Sequence, residues 1–395
     1  MRGRTAALVA LAACGATTPA QGPPPSARPA PAADPRFDPV VDYLRSQVDS
    51  AFPGAVIAVG HHGRVVLLAA VGHYGIDDPR PVTPETVYDL ASLTKVVGLT
   101  TACMLLVKEG KLDLSAPVQR YVRAFQGPGK EQVTIRHLLT HSSGLPAWRP
   151  LYTEATTRAT ALALADTTPL LRQPGDTFVY SDLGAMVLTQ AAEAVAGERL
   201  DAYLDARVFR PLGMTSTRFL PPPEWRDRVA PTERSQDGTI IRGTVHDENA
   251  WKLGGVSGHA GLFSTAPDLA RFATWLLDAW HARLTPGRRP GVSPPDLPSE
   301  LVLQFTRRQN LPPGSSRALG WDTPSENSSA GTKLGTNAFG HTGFTGTSIW
   351  MDPDRDLFII LLTNRVHPTR ENGRIVRVRP RVADLVVQAV TPGAP

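Results

Sequence analysis

Ser92 and Lys95 stand three residues apart in the stretch YDLASLTKVVGLTTACMLL, Tyr88 to Leu106. On a helix that spacing puts two side chains on one face, with Cβ atoms roughly 5–6 Å apart. A serine hydroxyl becomes a useful nucleophile when its proton is taken. A neighbouring amine can take it if burial lowers its pKa, or a third group can relay the proton. The chain has six lysines against thirty-five arginines. Where only positive charge is wanted it uses arginine, so Lys95 is marked for what arginine cannot do, which is to give up a proton. No other Ser-x-x-Lys spacing occurs in the sequence. At a helix N-terminus, Ser92 would also meet free backbone N–H groups and the positive end of the helix dipole, both suited to developing negative charge.

Two further stretches follow in order. FVYSDLGAMVL carries Tyr180 and Asp182, and FGHTGFTGTSIWMDPDRDLFIILLTN carries His341, Thr342 and Gly343. With SLTK, these motifs resemble those of the penicillin-recognising serine hydrolases: serine β-lactamases, D-Ala-D-Ala peptidases and related esterases. TIRHLLTHSSGLP and GGVSGHAGLFSTAPDL are similar to further stretches of that family. The likeness spans about residues 37–390 and is strongest to class C-like members. It implies an acyl-enzyme on Ser92, with Lys95 and Tyr180 sharing general-base and general-acid duty. It also implies an oxyanion hole from the backbone N–H groups of Ser92 and Phe344. His341 and Thr342 would line the strand edge where substrate lies, and no cofactor is expected.

Two positions depart from the family pattern. Asp182 stands where asparagine is usual; an ionised carboxylate accepts hydrogen bonds but cannot donate one to a substrate carbonyl. Asp182 is therefore expected to hold Lys95 charged, so that the ammonium favours Tyr180 phenolate as the proton acceptor. His341 replaces the lysine of Lys-Thr-Gly, which predicts binding of an anionic substrate that weakens as the imidazole loses its charge near neutral pH. Both departures favour hydrolysis of esters or cell-wall-type amides over efficient β-lactam turnover. The alternatives are a class C-like β-lactamase and a slowly acylated penicillin-binding sensor.

Other polar clusters have quieter readings. His137 and His141 lie four apart on a predicted helix, but Leu138 occupies the place where a zinc-binding H-E-x-x-H motif needs glutamate, so capping or packing is expected. His246 to Asn249 with His259 reads as a hydrogen-bonded cleft wall, and no metal site is assigned. The arginines at 370, 374, 377, 379 and 381 read as a solvated surface. No G-x-S-x-G elbow of an α/β-hydrolase occurs.

The elements that must position these groups follow from periodicity. Residues 54–72 read as a hairpin about His61-His62-Gly63. Helical patterns cover 93–109, 134–141, 183–196, 199–209 and 266–282, the last with a Thr265/Asp268 capping box. Strands return at GTSIWM and LFIILLTN, and a final helix is expected over 380–391. The predicted fold is α+β: an antiparallel sheet lobe built from both termini with flanking helices, plus a mainly helical lobe, with a helical insert over about 100–290 and the site in the cleft between them.

Composition bounds the rest. The chain of 395 residues is 42% hydrophobic and 19% charged, with a net charge of +5. Nothing suggests nucleic-acid binding, and a monomer acting on a small or peptidoglycan-derived molecule is expected. Residues 1–14 combine Arg2 and Arg4, a short apolar run and LAAC ending at Cys14. They resemble a lipoprotein export signal with a lipobox, with ordinary signal-peptidase cleavage near Ala20 as the other reading. Residues 15–35 are a Pro/Ala-rich tether, and 36–395 the hydrolase domain. The reading is of an exported periplasmic or cell-surface lipoprotein, anchored through Cys14. That leaves Cys103, in an apolar helix, as a small buried hydrophobe.

Overall fold

The computed structural model describes residues 34–283 and 295–391. The export signal with Cys14, residues 15–33 of the tether and most of the Pro-rich stretch 283–300 lie outside the described residues.

Chain termini meet in one sheet, as the pattern of runs predicts. Strands β1 (Gly54–His61), β2 (Arg64–Gly75), β3 (Asp78–Pro81), β7 (Phe339–Thr342), β8 (Ser348–Asp352) and β9 (Leu357–Thr363) form an antiparallel sheet in the order β3-β2-β1-β9-β8-β7. The hairpin turns at His62-Gly63, both in the left-handed region. Strand β1 is apolar along most of its length because both faces of the sheet are covered. Ala55, Ile57 and Val59 face the first helix (Asp38–Ser46) and the last (Ile375–Val390), where Val40, Leu44, Val378, Val382 and Val386 complete a layer. Val56, Ala58, Ile360 and Leu362 face the other way, into the core of the helical part. The period-2 alternation of a strand thus feeds two cores at once.

The middle of the chain is mainly helical. Its longest helices are Asp182–Ala196 and Ala266–Trp280, and it also holds a small sheet in which β6 (Leu262–Ser264) lies between β4 (Tyr88–Asp89) and β5 (Arg218–Phe219). Strand β4 delivers the chain to Ser92. Thr265 caps its helix by accepting from Asp268 N–H. The reciprocal half of the expected box is absent, because the Asp268 carboxylate is taken by Ser216 N–H and the Thr217 hydroxyl. The last helix begins at Ile375, five residues before the expected start. Pro380 lies inside it, and the carbonyl it leaves without a donor, four residues back, belongs to the exposed Val376 and is open to water.

Candidate active site

Ser92 follows Ala91, which is held at φ +46°. The helix it heads is π-wound over Lys95–Thr100 before becoming α-helical over Thr101–Lys108. Such a wide turn is uncommon and tends to occur at functional sites. Thr101 Oγ1 donates to Val96 O five residues back, at 2.9 Å. Lys95 is 97% buried, yet its Nζ meets three oxygens: Ser92 Oγ at 3.0 Å, His259 O at 2.9 Å and, as an ion pair, Asp182 Oδ1 at 2.7 Å. Burial alone would push the amine toward neutrality, but Asp182 and Tyr180 outweigh it and raise its pKa. Lys95 is therefore an ammonium that donates to Ser92 Oγ and His259 O and is ion-paired with Asp182, with no lone pair to accept the Ser92 proton.

Tyr180 lies beside this pair, its ring centroid 4.9 Å from Lys95 Nζ and its hydroxyl buried without a hydrogen-bond partner among the described residues. His141 holds the segment from both sides. Its carbonyl accepts from Val179 N–H, its Nδ1 accepts from Ser181 N–H, and its ring lies 4.6 Å from that of Tyr180. Asp182 opens the next helix, capped by Ser181 Oγ on Gly184 N–H at 3.0 Å.

The edge strand β7 closes the other wall. Gly340 pairs both ways with Asp322, so the outer edge is covered there, and His341–Thr342 follow it into the cavity. His341 is 96% buried. Its Nδ1–H donates to Thr342 O at 2.7 Å, leaving Nε2 without a partner among the described residues. Burial, with the charges of Arg317 and Lys95, holds its pKa well below the ordinary histidine range. The expected loss of charge near neutral pH is thus corrected: burial and the neighbouring positive charges keep this histidine neutral there.

After β7 the chain turns tightly over Gly343–Thr347. Gly343 N–H donates to Thr347 O at 2.8 Å, and a Cβ on Gly343 would fall 2.3 Å from Leu90 O. Thr345 Oγ1 donates to Asp89 O and Thr347 Oγ1 to Leu90 O. These bonds tie the turn to the segment entering Ser92. The N–H groups of Ser92 and Phe344 have no acceptor among the described residues. Both residues line a cavity of ≈ 430 Å³ that also contains Tyr180, His341 and Thr342. All the motif residues expected to meet do meet.

Three arginines of the cavity were not read from the sequence as part of the site: Arg317, Arg365 and Arg379. Arg379, expected on a solvated surface, is half-buried and donates through Nη2 to Gly343 O at 2.6 Å and Thr347 O at 2.9 Å. Burial and Arg365 lower its pKa to about 9, so it stays charged at neutral pH. Starting the last helix at Ile375 would have revealed it, because 375, 378, 379, 382 and 386 share one face. Arg370 is likewise paired, with Glu233 and Glu248. Arg317 stacks near Phe178 and Tyr180, its Nε and Nη1 without hydrogen bonds among the described residues and its Nε 3.8 Å from Asp322 Oδ1.

The histidine clusters take structural places. His137 completes a capping box with Thr134. His246 pairs with Glu233, and His259 with Asp247 and Ser257, behind Lys95. Among the described residues no group of acidic, histidine and cysteine side chains is arranged to hold a metal. Cys103 is buried and free.

An antiparallel sheet joined to a helical part, with Ser-x-x-Lys facing a tyrosine and a His-Thr-Gly strand, defines a β-lactamase/transpeptidase-like fold. The family profile described as Beta-lactamase matches residues 36–382, and the chain belongs to this family of serine hydrolases. A Salmonella schwarzengrund protein named "Putative D-alanyl-D-alanine carboxypeptidase" is 32% identical, over 84% of this chain and 83% of its own. Two solved structures share the fold. EstCE1, described as a hydrolase with promiscuous acyltransferase activity, has a TM-score of 0.69 at 24% identity, covering 89% of this chain and 99% of its own. A penicillin-binding protein homologue from Caulobacter crescentus has a TM-score of 0.71 at 20% identity, covering 90% and 98%.

Proposed function

We propose that this chain hydrolyses D-alanyl-type amides or esters that end in a free carboxylate, through an acyl-enzyme on Ser92. The observation that carries the reading is the placement of Ser92 Oγ 3.0 Å from a buried lysine that is fully engaged as an ammonium. Ser92 attacks the substrate carbonyl, and its proton passes to Tyr180 acting as the phenolate that the neighbouring Lys95 ammonium favours. The Ser92 and Phe344 N–H groups hold the oxyanion. Tyr180 then returns the proton to the departing amine or alcohol, and water releases the acyl group by the reverse path. Thr342 and Arg317 meet the substrate carboxylate; the unpartnered guanidinium nitrogens of Arg317 support that part. The 32% identical relative's name supports the same substrate class.

Comparing an acyl-D-Ala-D-Ala peptide with its C-terminal amide tests the substrate class. A charge-assisted hydrogen bond is worth about 1.5–3 kcal/mol, so blocking the carboxylate should lower kcat/KM by about ten- to a hundred-fold. Equal turnover of the two peptides would remove the carboxylate from recognition. Sustained nitrocefin turnover beyond one burst would favour a β-lactamase instead. Export and a lipid anchor on Cys14 complete the reading, supported by the LAAC stretch. Palmitate labelling that persists in Cys14→Ala would refute the anchor.

A further inference from the structure

We infer that Arg379 is a positioning residue for the oxyanion hole, acting through the Gly343–Phe344 peptide and not by holding the substrate. This rests on the reading that Phe344 N–H is an oxyanion donor. The carbonyl of Gly343 and the N–H of Phe344 belong to one peptide unit. That unit is trans, since the cis bonds of the described chain lie elsewhere, before Pro312 and Pro368. In a planar trans peptide the two groups point in opposite directions. Whatever fixes the carbonyl therefore aims the N–H.

Gly343 O accepts from two donors, Gly346 N–H at 3.1 Å and Arg379 Nη2 at 2.6 Å. The same Nη2 reaches Thr347 O at 2.9 Å, so one guanidinium nitrogen clamps both ends of the tight turn. The opposite end of the peptide carries a Phe344 N–H with no acceptor among the described residues, on the cavity that also holds Ser92. A cation on the carbonyl draws electron density toward oxygen. The amide nitrogen becomes more positive and its N–H a stronger donor, the cooperative effect of a hydrogen-bonded chain in a low-dielectric site. Arg365 steadies the next link. Its Nε donates to Phe344 O at 2.7 Å and its guanidinium lies 4.3 Å from the Phe344 ring centroid. Two arginines thus hold the two carbonyls that flank the donor, which fixes its direction before substrate arrives.

A rival role for Arg379 is direct capture of a substrate carboxylate through its unpartnered Nε. The two roles separate by substrate. Wild type, Arg379→Gln and Arg379→Lys are compared on p-nitrophenyl acetate, which has no carboxylate, and on an acyl-D-Ala-D-Ala peptide. Acting through the oxyanion hole, Arg379→Gln lowers the acylation rate about ten- to a hundred-fold on both substrates, with KM within about two-fold. Loss confined to the peptide and appearing in KM would overturn the inference in favour of carboxylate capture.

The infrared carbonyl stretch of the acyl-enzyme supplies an independent readout. It should move to higher frequency in Arg379→Gln, where the carbonyl is less polarised, and lie between the two in Arg379→Lys. Unchanged frequency in both variants would overturn the inference. Should the glutamine variant fail to fold, the lysine variant carries the test alone: its stretch must rise, and no shift refutes the proposal. Failure of wild type to form any ester on Ser92 would instead refute the acyl-enzyme reading, and this inference with it.

Discussion

The oxygen atoms around Lys95 decide its role. A lone buried amine would shed its proton, but the Asp182 carboxylate 2.7 Å away keeps it. Replacing Asp182 by asparagine removes that support. Lys95 then loses its charge more readily, and the alkaline limb of kcat/KM should move down by at least about one pH unit, with activity near pH 7 reduced about ten-fold. An unchanged profile would take Asp182 out of the mechanism. Lys95→Arg should lose about a hundred-fold or more, since a planar fork cannot donate to Ser92 Oγ and His259 O while pairing with Asp182 as a compact ammonium does. Retained activity would mean that only charge matters there. Ser92, Lys95, Tyr180 and Asp182 were legible in the sequence because each lies in a short local motif. The third partner of Lys95 was not: it is the backbone carbonyl of His259, and every residue type has one.

At the scale of elements, the tight turn closed by Lys95 N–H on Ser92 O sets Lys95 against Ser92, and the Gly343–Thr347 turn sets Phe344 opposite. The link between them is two threonine hydroxyls bonded to Asp89 O and Leu90 O. Thr347→Val keeps the shape but leaves Leu90 O with the Leu93 N–H alone, a cost of about 0.5–1.5 kcal/mol. Stability in urea should fall by that amount, and acylation should slow by at least about ten-fold as the oxyanion donors drift apart. Normal acylation in a destabilised variant would show that the tie serves folding alone. Hairpin and helix patterns were readable because apolar periodicity is local. The expected helix over 380–391 starts five residues late, past the inward face that carries Arg379; Pro380 inside the helix interrupts the local pattern there. Arg317 is placed by a loop with no periodicity, 24 positions before His341 in the sequence.

Across the whole molecule, the site concentrates positive charge around its cavity and keeps its histidines neutral. His141 and His341 both have pKa values well below the ordinary 6.5. In the unfolded chain they bind protons once pH drops below about 6.5, whereas the folded protein resists. Stability is therefore fully present above that pH and declines as pH falls, at up to about 1.4 kcal/mol per pH unit for each histidine. Urea unfolding should show a loss of about 2–3 kcal/mol between pH 7.5 and 5.5, and a flat curve would contradict neutral burial. The two-lobed α+β architecture was legible because strand-rich runs sit at both ends of a helical middle. The small β4-β6-β5 sheet was not, since two- and three-residue strands carry no period.

The central claim is that the Ser92 hydroxyl is activated by its surroundings to attack a carbonyl-like centre. Labelling by a fluorophosphonate probe, located by peptide mass mapping, tests it without a choice of substrate. Wild type should gain one adduct on Ser92, Ser92→Ala none, and Tyr180→Phe label at least about a hundred-fold more slowly. An adduct elsewhere, or equal labelling of the alanine variant, would contradict the account.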